Sequence, residues 1–187
     1  MKYIISILSV ILALPSCENS NIVNRYYYLS KDKAKDVGYP YGSMIYKSNR
    51  ENVYDDIIIQ ADVLQYSNDK EYIMIVQKPS KEIIRKELID DIKFWNNYYV
   101  SNKKDSTIKI LHTMVSLKEI NSLMNSKKEL NENVDSITEN ESYYKKLFTN
   151  EINYWIICIK NDSLIGPLSE REYYSKKSEL GISNKLK

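Results

Sequence analysis

The chain of 187 residues has little of what many enzyme sites are built from: one histidine, two cysteines and four glycines. A single histidine, His112, excludes sites that need several, and the scattered glycines form no phosphate-binding loop. No serine stands in a nucleophile-elbow context, and Cys158 lies in an apolar stretch rather than at a positive helix end. The sequence therefore predicts a non-enzymatic protein with no catalytic residues and no cofactor.

Metal ligands are also sparse. Asp55, Asp56 and Asp62 offer the carboxylate oxygens that hard cations prefer. They match no calcium-loop pattern, and in a strand the rise per residue would place Asp56 and Asp62 about 20 Å apart. The sequence therefore favours a solvated edge at these positions and predicts no metal site.

The chain has no excess of one charge sign. Its 27 Lys and Arg residues nearly balance 25 Asp and Glu residues, for a formal net charge of +2. Residues of the two signs are interleaved along the chain, whereas nucleic-acid binding needs clustered basic residues. We expect no nucleic-acid partner.

Long apolar runs are missing, except at residues 4–14. This run follows Lys2, is too short for a stable membrane span and has the length of an export signal. It ends in Leu14-Pro15-Ser16-Cys17, which resembles the lipobox of bacterial lipoproteins. The resemblance implies that residues 1–16 are removed and that Cys17 carries fatty acids such as palmitate, which hold the protein at a membrane of the cell envelope. The alternative is an ordinary secretory signal that leaves Cys17 as a thiol.

The rest of the chain has the length of one domain. Residues 17–24 are polar and predict a tether, and residues 25–187 predict a single α+β domain with a helical middle at about 80–150. Lipidation of Cys17 would leave Cys158 without a disulfide partner. Because Cys158 lies among apolar neighbours, we expect a buried free thiol.

Alternating and aromatic patterns predict an antiparallel sheet of about four to six strands with helices packed on one side. Residues 57–66 and 71–77 form a predicted hairpin around Asn68-Asp69. Residues 153–160 have no polar face, so they predict a central strand covered on both sides. The remaining predicted strands are residues 25–29, 43–47 and 164–165.

Helical spacing predicts three helices. Residues 81–99 form the first, with Ser80 as N-cap, and residues 117–130 form the second. Residues 131–140 are polar enough to predict a mobile connection. Ser169 and Glu172 form a capping box before a last helix at 170–180, which Gly181 closes.

Seventeen tyrosines against two phenylalanines are the most unusual feature of the composition. Tyr39 and Tyr41 lie in the loop Gly38-Tyr39-Pro40-Tyr41-Gly42, where they could form a contact surface for a partner. The alternative is that the loop packs on the body of the protein, with tyrosine as cover.

The lipobox, the central hairpin and the closing unit of strand, Gly166-Pro167-Leu168-Ser169 and helix together resemble small uncharacterised bacterial lipoproteins. The similarity covers roughly residues 53–77 and 152–182, while the helical middle departs from the shorter members. It implies a fold and an envelope location without any assigned activity.

These features lead to a functional hypothesis of a membrane-anchored envelope lipoprotein that binds another envelope protein or a cell-wall component. One alternative is an envelope enzyme that acts on cell-wall glycan through carboxylates such as Glu71 or Asp62. Another is an immunity or inhibitor lipoprotein.

Overall fold

The computed structural model describes residues 21–54, 56–110, 113–183 and 186, with the side chain of Thr113 excluded. The predicted α+β class is confirmed, because antiparallel strands and helices both recur along the chain. The strands are β1 (Asn21–Val23), β2 (Tyr26–Leu29), β3 (Met44–Lys47), β4 (Asp56–Ile59), β5 (Val63–Asn68), β6 (Tyr72–Gln77), β7 (Thr107–Ile110), β8 (Thr113–Ser116), β9 (Asn153–Cys158) and β10 (Ser163–Leu168). The helices are α1 (Lys31–Asp36), α2 (Lys81–Asn102), α3 (Leu117–Met124), α4 (Leu130–Asn140), α5 (Ser142–Leu147) and α6 (Glu170–Glu179).

The described strands form three antiparallel sheets rather than one. The first sheet has the order β1-β2-β3-β4, the central sheet has the order β10-β9-β6-β5, and β7 pairs with β8. The predicted strand at 57–66 is divided between the first two sheets, because the chain leaves β4 at Gln60 and enters β5 at Val63. At this break Gln60 forms a tertiary contact, because its backbone carbonyl oxygen accepts a hydrogen bond of 2.9 Å from the side chain of Gln77.

The predicted hairpin is present as β5 and β6. Its turn is closed by a 3.0 Å hydrogen bond from the backbone N–H of Asp69 to the carbonyl oxygen of Tyr72. The carboxylate of Asp69 also accepts hydrogen bonds from the backbone N–H groups of Glu71 and Tyr72, at 2.8 and 2.7 Å. A short polar side chain that bonds its own turn is why aspartate suits this position.

The central sheet is covered on both faces, as the apolar sequence of β9 predicts. β9 lies between β6 and β10. Trp155 and Ile157 join the main core, whereas Ile156 packs with Met74 against Tyr173 of α6. Helices therefore lie on both faces of this sheet rather than on one, since alternate residues of the same strands need cover on opposite sides.

Gly166 allows β10 to pass close over Trp155. Its φ is +138°, and a Cβ atom at this position would lie 2.6 Å from Cε3 of the Trp155 ring. Steric exclusion thus explains the glycine of the Gly-Pro-Leu-Ser segment.

The last helix begins and ends as the sequence predicts. Ser169 accepts from the backbone N–H of Glu172, and the Glu172 carboxylate accepts from the backbone N–H of Ser169, which is a capping box. At the other end Gly181 has φ +68°, and the N–H of Ile182 donates to the carbonyl of Lys177 at 3.0 Å. This is the Schellman arrangement that satisfies the last carbonyl groups of a helix.

The helical middle agrees with the sequence at its start and differs further on. Ser80 caps α2 by accepting from the N–H of Ile83. The second predicted helix ends early, at Met124, and the predicted connection at 131–140 is helical as α4. Val134 and Thr138, one turn apart, are buried against the rest of the domain, so tertiary packing stabilises a helix that its polar composition did not indicate.

Three further differences concern the N-terminal half and Cys158. Residues 21–23, within the predicted tether, pair with β2 as strand β1. The short helix α1 was not predicted; Ser30 caps it and Ala34 is buried. Cys158 is free and only partly buried, because it lies at the exposed end of β9. Within the described residues no helix is both long and apolar enough to cross a membrane.

Candidate functional site

The predicted contact loop turns its two tyrosine hydroxyl groups towards helix α2. The Tyr39 hydroxyl donates to Oε1 of Glu87 at 2.7 Å, and the Tyr41 hydroxyl donates to Oδ2 of Asp90 at 2.6 Å. The two rings meet edge to face at 5.0 Å. Both side chains are partly buried, so they line the space between loop and helix with part of each ring facing solvent.

Glu87 is the most buried carboxyl group of this region, with 3% of its surface exposed. Besides the Tyr39 hydroxyl, it accepts a 3.1 Å hydrogen bond from Nε2 of Gln60. Burial raises the pKa of Glu87 to about 7, although the Tyr39 and Gln60 hydrogen bonds act in the opposite direction. Glu87 is therefore poised to gain or lose a proton near neutral pH.

Asp91 stands one helical turn after Glu87, so the two carboxyl groups are neighbours on the same side of α2. Burial, and then the negative charge of Asp90, raise the pKa of Asp91 to about 6. No other described residue donates a hydrogen bond or forms an ion pair with the Asp91 carboxyl group. This group is available to a ligand.

These side chains line a cavity of about 280 Å³, which we call the polar cleft. Asp56 and Lys109 also line it and form an ion pair of 2.7 Å. The lining residues are Tyr39, Tyr41, Tyr54, Asp56, Ile57, Glu87, Asp91 and Lys109.

A second space of about 220 Å³ shares the Asp56–Lys109 pair with the polar cleft as lining. There Asp162 pairs with Lys47 at 2.7 Å and accepts from the Tyr26 hydroxyl at 2.9 Å. The hydrogen bond from Lys47, followed by that from Tyr26, lowers the pKa of Asp162. The polar cleft, acidic at α2, thus adjoins a space near β10 in which the charges are balanced.

The arrangement can accept hydrogen bonds and bind positive charge. Two neighbouring carboxyl groups with raised pKa values can also donate or take up a proton. Among the described residues, no group of three or more His, Cys, Asp or Glu side chains is arranged to hold a metal ion.

The carboxylates named in the enzyme alternative lie far apart. Asp62 precedes β5, where its carboxylate accepts from the N–H of Ser43 at 3.3 Å and pairs with Lys31 at 3.6 Å. Glu71 is exposed at the opposite end of the same hairpin, roughly 20 Å away by the rise of the strands. Cys17, Asp55 and His112 lie outside the described residues.

Glu87 and Asp91 were missed because charged residues on a helix usually face solvent. A signal for them exists: in a helix, positions 84, 87, 88, 91 and 95 fall on one stripe, and three of these are apolar. A carboxyl residue within an apolar stripe indicates one of two things. Either the carboxyl group is buried in a site, or the helix is rotated about its axis by one residue, so that a different face is buried.

Comparison with known proteins adds a family of unassigned role. The family model described as "Protein of unknown function (DUF3997)" matches residues 124–187, which include α4 to α6, β9 and β10. The match supports similarity to an uncharacterised family over the closing part of the chain, and it does not include the lipobox. No curated protein matches the chain, and no solved structure does.

Proposed function

We propose that the protein is a lipid-anchored, non-enzymatic envelope protein that binds another envelope protein or a cell-wall component in the polar cleft. The observation that supports binding is the convergence of Tyr39, Tyr41, Glu87 and Asp91 on one cavity that reaches solvent. A site with several acceptors and a carboxyl group that has no partner among the described residues suits a ligand that carries amine or other donor groups.

The lipobox supports the anchored location. If Cys17 is the first residue of the mature chain, three residues separate it from β1 at Asn21. At about 3.4 Å per residue this segment spans roughly 14 Å. The domain would then lie next to the bilayer, where its ligands would be membrane-bound or cell-wall groups.

The anchor is tested by metabolic labelling with an alkyne fatty acid in wild-type cells and in cells that carry Cys17→Ala. We expect label on the wild-type protein and none on the variant. Equal labelling, or a purified natural protein that begins at a residue other than Cys17, would refute lipidation.

The cleft is tested with purified cell-wall sacculi and with crosslinked envelopes. We expect the protein to co-sediment with sacculi or to crosslink to one envelope protein, and the double variant Glu87→Gln/Asp91→Asn to weaken that binding at least tenfold. Glu87→Gln keeps an acceptor for Tyr39. Phe94→Ala is the control, because Phe94 is 62% exposed on the same helix and does not line the cleft. Equal binding by the double variant would exclude the cleft.

A second candidate, an enzyme that acts on cell-wall glycan, is favoured by one observation. Glu87 and Asp91 are two neighbouring carboxyl groups whose pKa values are raised to about 7 and about 6, as a general acid requires. Release of soluble fragments from sacculi by the wild type, and its loss in Glu87→Gln, would support the enzyme over the binding protein.

A further inference from the structure

Helix α2 borders a second cavity, on the side that faces α3 and α4. Its volume is about 130 Å³, and its walls are almost wholly apolar, so we call it the apolar cavity. A cavity of about 150 Å³ with apolar walls holds one benzene molecule. The apolar cavity is somewhat smaller, so it suits one leucine side chain, which has four carbon atoms against the six of benzene. Its lining residues are Leu88, Ile92, Ile110, Val115, Glu119, Ile120, Leu123, Ile137, Glu141 and Tyr144.

The apolar cavity reaches the surface beside two carboxylates. Glu119 and Glu141 are its charged lining residues, and both are exposed. One oxygen of Glu119 accepts from the backbone N–H of Ser116 at 2.8 Å, and no described residue donates to the other. Glu141 forms no ion pair within the described residues. The interior of the cavity is apolar and its entrance carries two negative groups. It therefore favours a partner with an apolar side chain that enters the cavity and with positively charged side chains next to it.

The surface around this entrance carries both signs. Residues 129–141 contain five Asp and Glu residues and no Lys or Arg, two of the five form ion pairs with cations of α2, and the stretch is flanked by Lys127-Lys128 and Lys145-Lys146. The charges that line the cavity itself are those of Glu119 and Glu141, and the charge complementary to these is that of a basic segment.

We propose that the apolar cavity is the anchor pocket for a basic amphipathic segment of a partner protein. One leucine of that segment fills the cavity, and lysine or arginine residues one turn away pair with Glu119 and Glu141. Helix-in-groove recognition uses such anchors at spacings of three or four residues. This interaction is independent of lipidation and of the polar cleft.

Anionic lipids fit the same site poorly. The carboxylate or phosphate of a fatty acid or phospholipid would stand next to Glu119 and Glu141, and like charges at short distance repel. A long acyl chain also has several times as many carbon atoms as the benzene that a cavity of this size holds. Size and charge together favour a basic peptide.

The probe is a fluorescent 14-residue helical peptide of leucine and lysine that carries one photoreactive leucine analogue. It is compared with a leucine–glutamate peptide of the same apolar pattern, and the protein is the full chain in nanodiscs of neutral lipid. We expect the Leu–Lys peptide to bind at least tenfold more tightly than the Leu–Glu peptide, and to crosslink to Leu123 or Ile137. Empty nanodiscs correct for binding to lipid.

Two variants locate the contact. Glu119→Gln/Glu141→Gln removes both charges while glutamine keeps the capping hydrogen bond at position 119, and we expect at least tenfold weaker binding. Glu71→Gln/Glu170→Gln makes the same change of net charge outside the cavity lining and should bind as the wild type does. Leu123→Trp fills the cavity and should abolish the crosslink while circular dichroism stays unchanged.

Several results would overturn the proposal. Equal binding of the two peptides would remove the role of charge, and crosslinks outside the cavity would remove the role of the pocket. An unchanged affinity of the Leu–Lys peptide for Glu119→Gln/Glu141→Gln would show that the two carboxylates do not contribute to binding. Binding of dodecanoate but of neither peptide would assign the cavity to a lipid instead.

Discussion

Helix α2 presents two adjoining faces of different chemistry through residues that are adjacent in sequence. Glu87 and Asp91 line the polar cleft, whereas Leu88 and Ile92 line the apolar cavity. Each pair is spaced by four residues, and the pairs are offset by one residue, which corresponds to about 100° around the helix. A single helix thus separates a site suited to polar ligands from one suited to apolar groups.

The two faces differ in how they affect folding. On the polar face, carboxyl groups are buried at a cost that appears as raised pKa values. On the apolar face, the side chains bury apolar surface but leave space unfilled, which also forfeits stability. Both faces thus lower the free energy of unfolding at the places where the structure leaves room for another molecule. This is typical of binding sites.

The largest expected effect comes from truncation on the apolar face. Leu88 is 3% exposed, and Leu88→Ala enlarges a cavity that already exists, so we expect a loss of about 3 to 4 kcal/mol in the free energy of unfolding. The measurement is urea unfolding of the full chain. Phe94→Ala on the same helix should change stability by less than about 0.5 kcal/mol. A small effect of Leu88→Ala would mean that this face of α2 is not packed as described.

The next effect is a pH dependence from the polar face. The pKa of Glu87 is raised from 4.5 to about 7 in the folded protein, so between these pH values the folded state holds a proton that the unfolded state has released. The contribution of Glu87 to the free energy of unfolding is therefore largest below pH 4.5. It decreases by roughly 3 kcal/mol as the pH rises to about 7.

The variant Glu87→Gln isolates this contribution. We expect its stability relative to the wild type to increase between pH 4.5 and pH 7.5, as measured by urea unfolding at each pH. Glu172→Gln is the control, because the hydrogen bonds from Ser169 lower the Glu172 pKa instead of raising it, so the stability of this variant relative to the wild type should not increase with pH. Parallel pH profiles for Glu87→Gln and the wild type would contradict the raised pKa.

A smaller effect follows from removal of the Asp91 charge. Asp91 is partly buried next to Asp90, and burial and this neighbour disfavour its ionised form. We expect Asp91→Asn to stabilise the protein by about 1 kcal/mol at pH 8 and to have little effect at pH 4.5. Destabilisation at pH 8 would indicate that Asp91 holds a structural partner instead of facing a ligand.

The smallest effect is a gain from filling the apolar cavity. Val115→Ile adds one methyl group to its wall, and we expect stabilisation by at most about 0.8 kcal/mol, seen as a higher midpoint of urea unfolding. Val53→Ile is the control, since Val53 is 40% exposed and the added methyl group stays in water. Equal midpoints for both variants and the wild type would mean that the cavity collapses in solution.

Local signals predicted the parts of the fold that depend on neighbouring residues. The capping box at Ser169, the Schellman end at Gly181 and the β5–β6 hairpin all arise from contacts within a few residues. The central position of β9 followed from its lack of a polar face. The break at Gln60 and the helix α4 were missed, because their causes are contacts with residues distant in the chain.

The candidate site was less predictable than the fold. The sequence indicated Tyr39 and Tyr41 from their loop, but the helix that they contact is 48 and 49 residues away in the chain. From the sequence, Glu87 and Asp91 are expected to face solvent. Only the structure shows which face of α2 is buried. The lipidation of Cys17 remains a prediction from the sequence.

The sequence by itself determined the α+β class, the caps and turns, and the apolar pattern that makes β9 central, because these depend on local backbone chemistry and on the period of apolar residues. Only the tertiary structure decided that the strands divide into three sheets, that helices cover both faces of the central sheet and that α2 separates two cavities. Burial, pKa and cavity shape depend on which distant side chains come into contact, and a periodic pattern does not specify those partners.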